Sequence, residues 1–403
     1  MLKNRRLSTI TASIAVVVAL SAFPIRGADI PRFEAHELEA HVGEVCYAVT
    51  LADIDGDKKS DIVAVTENRV VWYHNPDWKP RVIIEDQTER DNVCIAPCDI
   101  DGDGQIDFAL GAGWLNNKNL GTIYWLVRGK TLDEKWTVHS IGRESWTHRM
   151  RWGDILGTGK PQLVVSPLNK TTGTGIRLLA FEIPAHPTTD AWKATLLDGE
   201  LNAMHNHWMV DLDGDGKTDA ITASQEGIFL IRRDGDGKFT KQQLSKGAPG
   251  PDAPQQRGTG EIKLGKLKDG RPFLVAVEPM HGNQIVVYTR PDAGETLWKR
   301  NVLDDTLKRG HAVGVADIDH DGSDELVIGH SLQGTGKDPG PGVFIYDALD
   351  ESGSKWSKHT VDGGGMATED LIVDDLNGDG WPDIVAGGRE THNVKLYVNQ
   401  GAR

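Results

Sequence analysis

Short runs in which apolar and polar residues alternate recur along this chain at near-regular intervals, the period-two pattern of half-buried strands. Ala220-Ile-Thr-Ala-Ser224, Leu163-Val-Val-Ser166 and Leu274-Val-Ala-Val277 are three of them. Each is followed by another strand-like run, within Val70–Tyr73, Thr122–Leu126, Ile176–Phe181, Ile228–Ile231, Gln284–Tyr288, Val343–Tyr346 and Val394–Val398 across the whole chain. A further run opens on an aromatic residue: Trp78, Trp136, Trp192, Phe239, Trp298 and Trp356. Those aromatic side chains are expected to pack between sheets rather than touch a ligand. Repeated units of four strands predict an all-β fold built of β-propeller blades.

A second pattern sets the register of the units. Asp211-Leu-Asp-Gly-Asp-Gly-Lys-Thr-Asp219 carries carboxylates at alternate positions of a glycine-rich turn, just before a strand. The arrangement recurs at Asp53–Asp61, Asp99–Asp107, Asp317–Glu325 and Asp375–Asp383. Asp154–Gln162 keeps the turn but lacks the later carboxylates, and Gly265–Phe273 keeps only the turn. Taking the first turn position as a ruler gives Asp53, Asp99, Asp154, Asp211, Gly265, Asp317 and Asp375, hence seven blades. The last unit stops after its third strand, and Phe33-Glu-Ala-His-Glu-Leu38 has the pattern of a fourth. The expected fold is therefore a seven-bladed β-propeller, closed by an N-terminal strand that completes the last blade. Closure removes the exposed edge of an open array. Residues 29–403 form this single domain, with no segment left over for another.

Alternating carboxylates on a tight loop supply the several oxygens that a hard cation requires. Five structural Ca²⁺ sites are expected: Asp53, Asp55, Asp57 and Asp61; Asp99, Asp101, Asp103 and Asp107; Asp211, Asp213, Asp215 and Asp219; Asp317, Asp319, Asp321 and Glu325; Asp375, Asn377, Asp379 and Asp383. The formal charge of −15 argues against a nucleic-acid partner, since no basic stripe is present. Five calcium ions would reduce it to −5.

Lys3, Arg5 and Arg6 precede an apolar stretch from Ile10 to Phe23, so residues 1–28 read as an export signal, the alternative being an uncleaved anchor. The expected location is secreted or periplasmic, with no membrane contact after cleavage. Three cysteines do not make a disulfide framework. A Cys46–Cys94 bridge stays open against three buried small residues.

The aspartate turns lie on one face of a propeller, and the entries to the first strands lie on the other. Six residues back from each ruler position stand Tyr47, Val93, His148, His205, Thr259, His311 and Glu369. Two residues further in come Val49, Ile95, Met150, His207, Glu261, Val313 and Leu371. The loops between second and third strands add Asn169, Gln225, Glu226, His281, Asn283, His330, Arg389 and His392. Seven of the fourteen histidines thus map to one mouth. Imidazoles beside a carboxylate suit Zn²⁺ or another divalent metal, which would act as a Lewis acid on a carbonyl oxygen. His205, His281 and His311, on consecutive blades, are the expected ligands. His148 and His207 are candidate bases, Tyr47 a candidate acid, and Glu261 a further catalytic candidate. Arg257, Arg389 and Asn283 are candidate substrate anchors. No GxSxG, HExxH or CxxC motif is present.

The aspartate turns resemble the VCBS / FG-GAP propeller repeats over residues 33–399. Trp146-Thr-His-Arg-Met-Arg-Trp-Gly-Asp154, Glu278-Pro-Met-His-Gly-Asn-Gln-Ile-Val-Val-Tyr288 and Arg309-Gly-His-Ala-Val-Gly-Val-Ala-Asp317 are similar to the propeller part of the aldos-2-ulose dehydratases (1,5-anhydrofructose dehydratases). Those enzymes carry cupin domains after the propeller and this chain has none, which argues against an isomerase-type step. The resemblance implies a carbon–oxygen lyase that carries out dehydratase-type β-elimination on an oxidised (keto) or acidic sugar. The alternative is a calcium-stiffened propeller that binds carbohydrate or protein without turnover.

Overall fold

The computed structural model describes residues 30–114, 121–253, 255–332 and 340–401. The export-signal region lies outside them. Among the described residues every regular element is a strand, and the strands form seven four-stranded antiparallel sheets. The first strands, Cys46–Ala52, Cys94–Cys98, Thr147–Gly153, Asn206–Val210, Ile262–Lys266, Gly310–Ala316 and Thr368–Asp374, lie innermost around one axis, each beside the next. The strand Phe33–Glu39 pairs antiparallel with Val394–Asn399, from Phe33 opposite Asn399 to Glu39 opposite Val394. The ring therefore closes as the alternation implied, with chain ends from both termini in one sheet.

Burial follows the same logic. Second strands such as Asp61–Thr66, Gln162–Pro167 and Asp219–Ser224 are buried throughout, because each face meets a neighbouring blade. Outer strands such as Lys193–Asp198, whose one buried residue is Leu197, are largely exposed. The aromatic residues before them fill the gaps between blades. Trp136 is almost fully buried, with its ring 5.5 Å from Phe108 in a cluster that joins the first two blades. Trp136→Ala is expected to cost about 3–5 kcal/mol. Urea unfolding measures it, and a loss below about 1 kcal/mol would contradict a packing role.

One register differs from the expectation. In six blades the last residue of the first strand pairs with the ninth turn residue, as Ala52 does with Asp61. In the fifth blade Lys266 pairs with Pro272, and Gly265 lies inside the strand, opposite Phe273. The turn is Leu267–Arg271, closed by the Leu267 N–H donating to the Arg271 carbonyl at 2.8 Å. The ruler position of that blade is Leu267, so the residue six back is Glu261, not Thr259. Gly-Lys-Leu-Lys-Asp-Gly imitates the start of the turn two residues early.

Cys46 and Cys94 are free and buried. A Cβ on Gly387 would come within 2.6 Å of Cys46 Sγ, and one on Gly111 within 2.7 Å of Cys94 Sγ. Each thiol fills a space that only glycine leaves open. Burial pushes the Cys94 thiol up to about 12, and the Cys46 thiol is raised as well. Both are inert small residues.

Candidate functional site

Six residues back from the turns, the corrected ring reads Tyr47, Val93, His148, His205, Glu261, His311 and Glu369. In four blades this position is the extra residue of a β-bulge. Pairing skips Tyr47 between Cys46 and Ala48, His148 between Thr147 and Arg149, His311 between Gly310 and Ala312, and Glu369 between Thr368 and Asp370. A bulged residue leaves the ladder and its side chain is re-aimed. The bulge thus turns a chemically distinct residue out of the ladder at a fixed distance from each turn.

The ring collects a compact cluster. His205 Nε2 lies 2.8 Å from His281 Nε2, and the His281 and His311 rings stack at 4.9 Å. The His205 ring centroid is 5.0 Å from that of His311 and 4.6 Å from that of His148. One nitrogen from each of His205, His281 and His311 lies within 4.8 Å of the other two. His281 comes from the loop after the second strand of blade five, where its backbone holds a left-handed φ of 55°.

Hydrogen bonds set the tautomers. His311 Nδ1 lies 2.5 Å from the Glu369 carbonyl, and His148 Nδ1 lies 2.9 Å from the His205 carbonyl. A carbonyl only accepts, so in the neutral rings Nδ1 carries the proton and Nε2 keeps its lone pair. His205 Nδ1 stands 2.8 Å from Glu261 Oε1, off the best hydrogen-bond line, again leaving Nε2 for the cluster. A ring nitrogen turned inward, with the other held by a carbonyl or carboxylate, is the usual dress of a metal-binding histidine. His311 Nε2 also lies 3.4 Å from Glu369 Oε1, two acceptors face to face with the ring neutral. A cation between the nitrogens would relieve that opposition, so the donor set fits a divalent metal with nitrogen ligands.

Electrostatics keep the rings neutral. Burial holds His148 and His311 well below the ordinary imidazole value and lowers His205. Burial, followed by His205, brings His281 down to about 2. Burial works to raise the Glu261 carboxyl, but His205 and Arg149 outweigh it and hold it low. Arg149 Nη2 reaches Glu261 at 3.2 Å. The Glu369 carboxyl is raised by burial against the pull of Arg389, at 2.5 Å, and Arg309, at 3.4 Å. Tyr47 lies beside Arg389, whose guanidinium carbon is 5.9 Å from its ring centre. Burial and Asp91 push the Tyr47 phenol up to about 12, so it holds its proton at neutral pH.

Other expected mouth residues fall elsewhere. His207 does not face the cluster: its Nδ1 bonds Ser166 Oγ at 2.9 Å between the third and fourth blades, and it is fully buried. His205 lies just before the paired strand Asn206–Val210, so the two-residue spacing does not put both histidines on one face. Arg257 pairs with Asp252 at 2.8 Å in a separate hollow beside Asn169, Gln225 and Glu226. Asn283 donates to the Asp305 carbonyl at 2.6 Å. His330 Nε2 meets the Gly340 carbonyl at 2.9 Å, and His392 Nδ1 meets the Glu44 carbonyl at 2.6 Å. Glu369, Arg149 and Arg309 complete the site although no role was drawn for them from sequence. Glu369 was visible as a ring member; the two arginines follow ring histidines or precede them and carry no distinguishing spacing.

On the opposite face, the first aspartate of most turns accepts from its own loop. Asp53 takes the Gly56 and Lys58 N–H groups at 2.8 and 2.9 Å, and Asp211 takes those of Gly214 and Gly216 at 2.8 and 2.9 Å. Even the degenerate Asp154 accepts from Thr158 and Gly159 at 2.8 Å. Carboxylate atoms of Asp53, Asp55 and Asp57 converge, as do those of Asp99, Asp101 and Asp107, of Asp211, Asp213 and Asp215, and of Asp317, Asp319 and Glu325. The Asp317–Glu325 turn differs from the others. Asp317 Oδ1, Asp319 Oδ2 and Glu325 Oε1 are buried without a hydrogen-bond partner, and so is Asp347 Oδ2 from the third strand. Burial and Asp319 push Glu325 up to about 9 and Asp347 to about 6. Orphaned anionic oxygens of this kind are what a calcium ion would satisfy.

Comparisons with known proteins agree with the motifs. Residues 120–291, which contain His148, His205, Glu261 and His281, match the family described as "Aldos-2-ulose dehydratase, beta-propeller domain". Residues 53–110 match the FG-GAP-like repeat. Aldos-2-ulose dehydratase of Phanerodontia chrysosporium is 28% identical over 266 residues, covering 60% of this chain and 29% of that protein. The chain thus spans less than a third of that relative's length. Among solved structures, an Agrocybe aegerita lectin specific for non-reducing terminal N-acetylglucosamine aligns with a TM-score of 0.52. It is 16% identical over 84% of this chain and 88% of its own, a likeness of fold. Both resemblances read from the sequence are matched, and the fold is a seven-bladed propeller.

Proposed function

We propose that this chain is a metal-assisted carbon–oxygen lyase that removes water by β-elimination from an oxidised (keto) or acidic sugar. The observation that carries the reading is the convergence of His205, His281 and His311, with Glu261 and Arg149 behind them, largely within the segment that matches the dehydratase propeller. His205, His281 and His311 would hold Zn²⁺ or another divalent metal. Such a metal supplies Lewis acidity at a substrate carbonyl oxygen.

His148 is the base on this reading. Its Nδ1–H is committed to the His205 carbonyl, so its Nε2 lone pair takes the proton from the carbon next to the carbonyl. The carbon–oxygen bond at the β-carbon then breaks, and the departing oxygen leaves as water with a proton from Tyr47. Burial keeps that phenol protonated at neutral pH. Arg389, held by Glu369, anchors a hydroxyl or carboxylate of the sugar. Incubation with keto-sugars and uronate polysaccharides tests the reading through appearance of an absorbing enone or unsaturated uronate. Binding of sugar with no such product, in protein carrying its metal, would favour the lectin-like alternative instead.

The carboxylate turns are proposed as calcium staples remote from the chemistry, with the Asp317–Glu325 turn the tightest of them. Loops of this kind fill where calcium is millimolar. That agrees with export through the basic and apolar N-terminal stretch to a secreted or periplasmic location.

A further inference from the structure

Below the histidine cluster the axis of the propeller holds a cavity of about 460 Å³, lined by the first strands of all seven blades. That volume is in the range of small-molecule pockets. Its wall is cationic in a way the cluster does not use. Arg149 is paired with Glu261. Among the described residues Arg151 is not paired with a carboxylate: it donates to the Met150 carbonyl at 2.9 Å and Asn206 Oδ1 at 3.3 Å, and its Nε is buried without a partner. Lys263 has no carboxylate within ion-pair distance among the described residues. Its Nζ stands 3.2 Å from the centre of the Trp208 ring, against which the Arg151 guanidinium also packs at 4.3 Å. Asp370, the remaining acid of the wall, accepts from the Val49 N–H at 3.1 Å.

Two cations gathered at one aromatic ring repel each other, and the acids of the same wall, Glu261 and Asp370, draw on both without an ion pair to either among the described residues. The cation–π contacts offset part of that cost. Burial and Arg151 push the Lys263 ammonium well below its usual range against the pull of Glu261 and Asp370, and an added anion would act in the same direction as those acids. We propose that the axial cavity is a second ligand site, distinct from the histidine cluster, which takes a small oxyanion held by Arg151 and Lys263 beside Trp208. An oxyanion accepts from both cations at once, as charge-assisted hydrogen bonds require. This inference does not depend on lyase activity.

Calorimetric titration with sulfate and with D-gluconate, at constant ionic strength set by chloride, tests it. At least one of the two is expected to bind the wild-type protein and to bind about 10-fold or more weakly to Lys263→Met and Arg151→Met. His311→Ala is expected to bind as wild type does, which separates the cavity from the histidine cluster. Gluconate binding without sulfate identifies an organic carboxylate as the occupant, and sulfate binding without gluconate an inorganic anion. Should a methionine variant fail to fold, Lys263→Arg and the anion-induced rise in wild-type melting temperature carry the test. Absence of binding by both anions overturns the proposal, and so does an affinity unchanged in the folded variants.

Discussion

His205→Ala and His311→Ala are each expected to lower elimination turnover by about 10³-fold, equivalent to about 4 kcal/mol of transition-state stabilisation, while the propeller stays folded. Both side chains sit at the centre of the cluster, with Nε2 turned inward and Nδ1 facing Glu261 or the Glu369 carbonyl. Removing either leaves two imidazoles, too few to hold a borderline metal against water and chelators. Metal analysis after dialysis should therefore fall below one equivalent in step with activity. His148→Ala provides the contrast, since on the proposed scheme it takes a proton and binds no metal. It should lose about 10²–10⁴-fold in rate while keeping its metal. Full turnover in both His205→Ala and His311→Ala would end the assignment. Loss of metal in His148→Ala would make that residue a fourth ligand and leave the base to be sought elsewhere.

The positions of these histidines were legible because two regularities coincide. Each carboxylate turn ends a first strand at a fixed residue, and in four blades each first strand begins with a bulge at a fixed distance from that end. Counting back therefore reached Tyr47, His148, His311 and Glu369 without knowledge of the bulge that re-aims them. The count failed where the first turn position carries no carboxylate. In blade five a glycine-lysine imitation displaced it by two residues and hid Glu261 among the inner set. His207 was misplaced for a different reason: alternation gives two faces to a strand but not which neighbour each face meets, and His207 meets Ser166 of the adjacent blade. The cations of the axial cavity were illegible on the same ground. Arg151, Trp208 and Lys263 come from three separate strands, and only closure of the ring brings them to one place.

Removal of calcium is expected to destabilise the protein mainly through one turn. In the Asp317–Glu325 turn one oxygen each of Asp317, Asp319 and Glu325 is buried and unpartnered, whereas Asp53, Asp99, Asp211 and Asp375 are already held by two or more backbone N–H groups of their own loops. Those turns keep their shape without an ion, as Asp154 does with most of its carboxylates missing. Calcium at about 100 times its dissociation constant adds about 2.7 kcal/mol per site, so EDTA should lower the melting temperature by roughly 3–5 °C through this site alone. The pH dependence has a definite sign. In chelator, burial beside Asp319 raises Glu325 to about 9 and Asp347 to about 6, above their values in the unfolded chain. The folded form then holds protons that the unfolded chain has released, and stability falls as pH rises from about 4.5 toward 9. Calcium should flatten that slope by satisfying the ionised carboxylates. Asp319→Asn removes one of the crowded charges with little change of shape. It should make the chelated protein more stable than wild type and abolish most of the calcium response. A melting temperature indifferent to EDTA, or an Asp319→Asn variant that responds to calcium as wild type does, would locate the staple elsewhere in the ring.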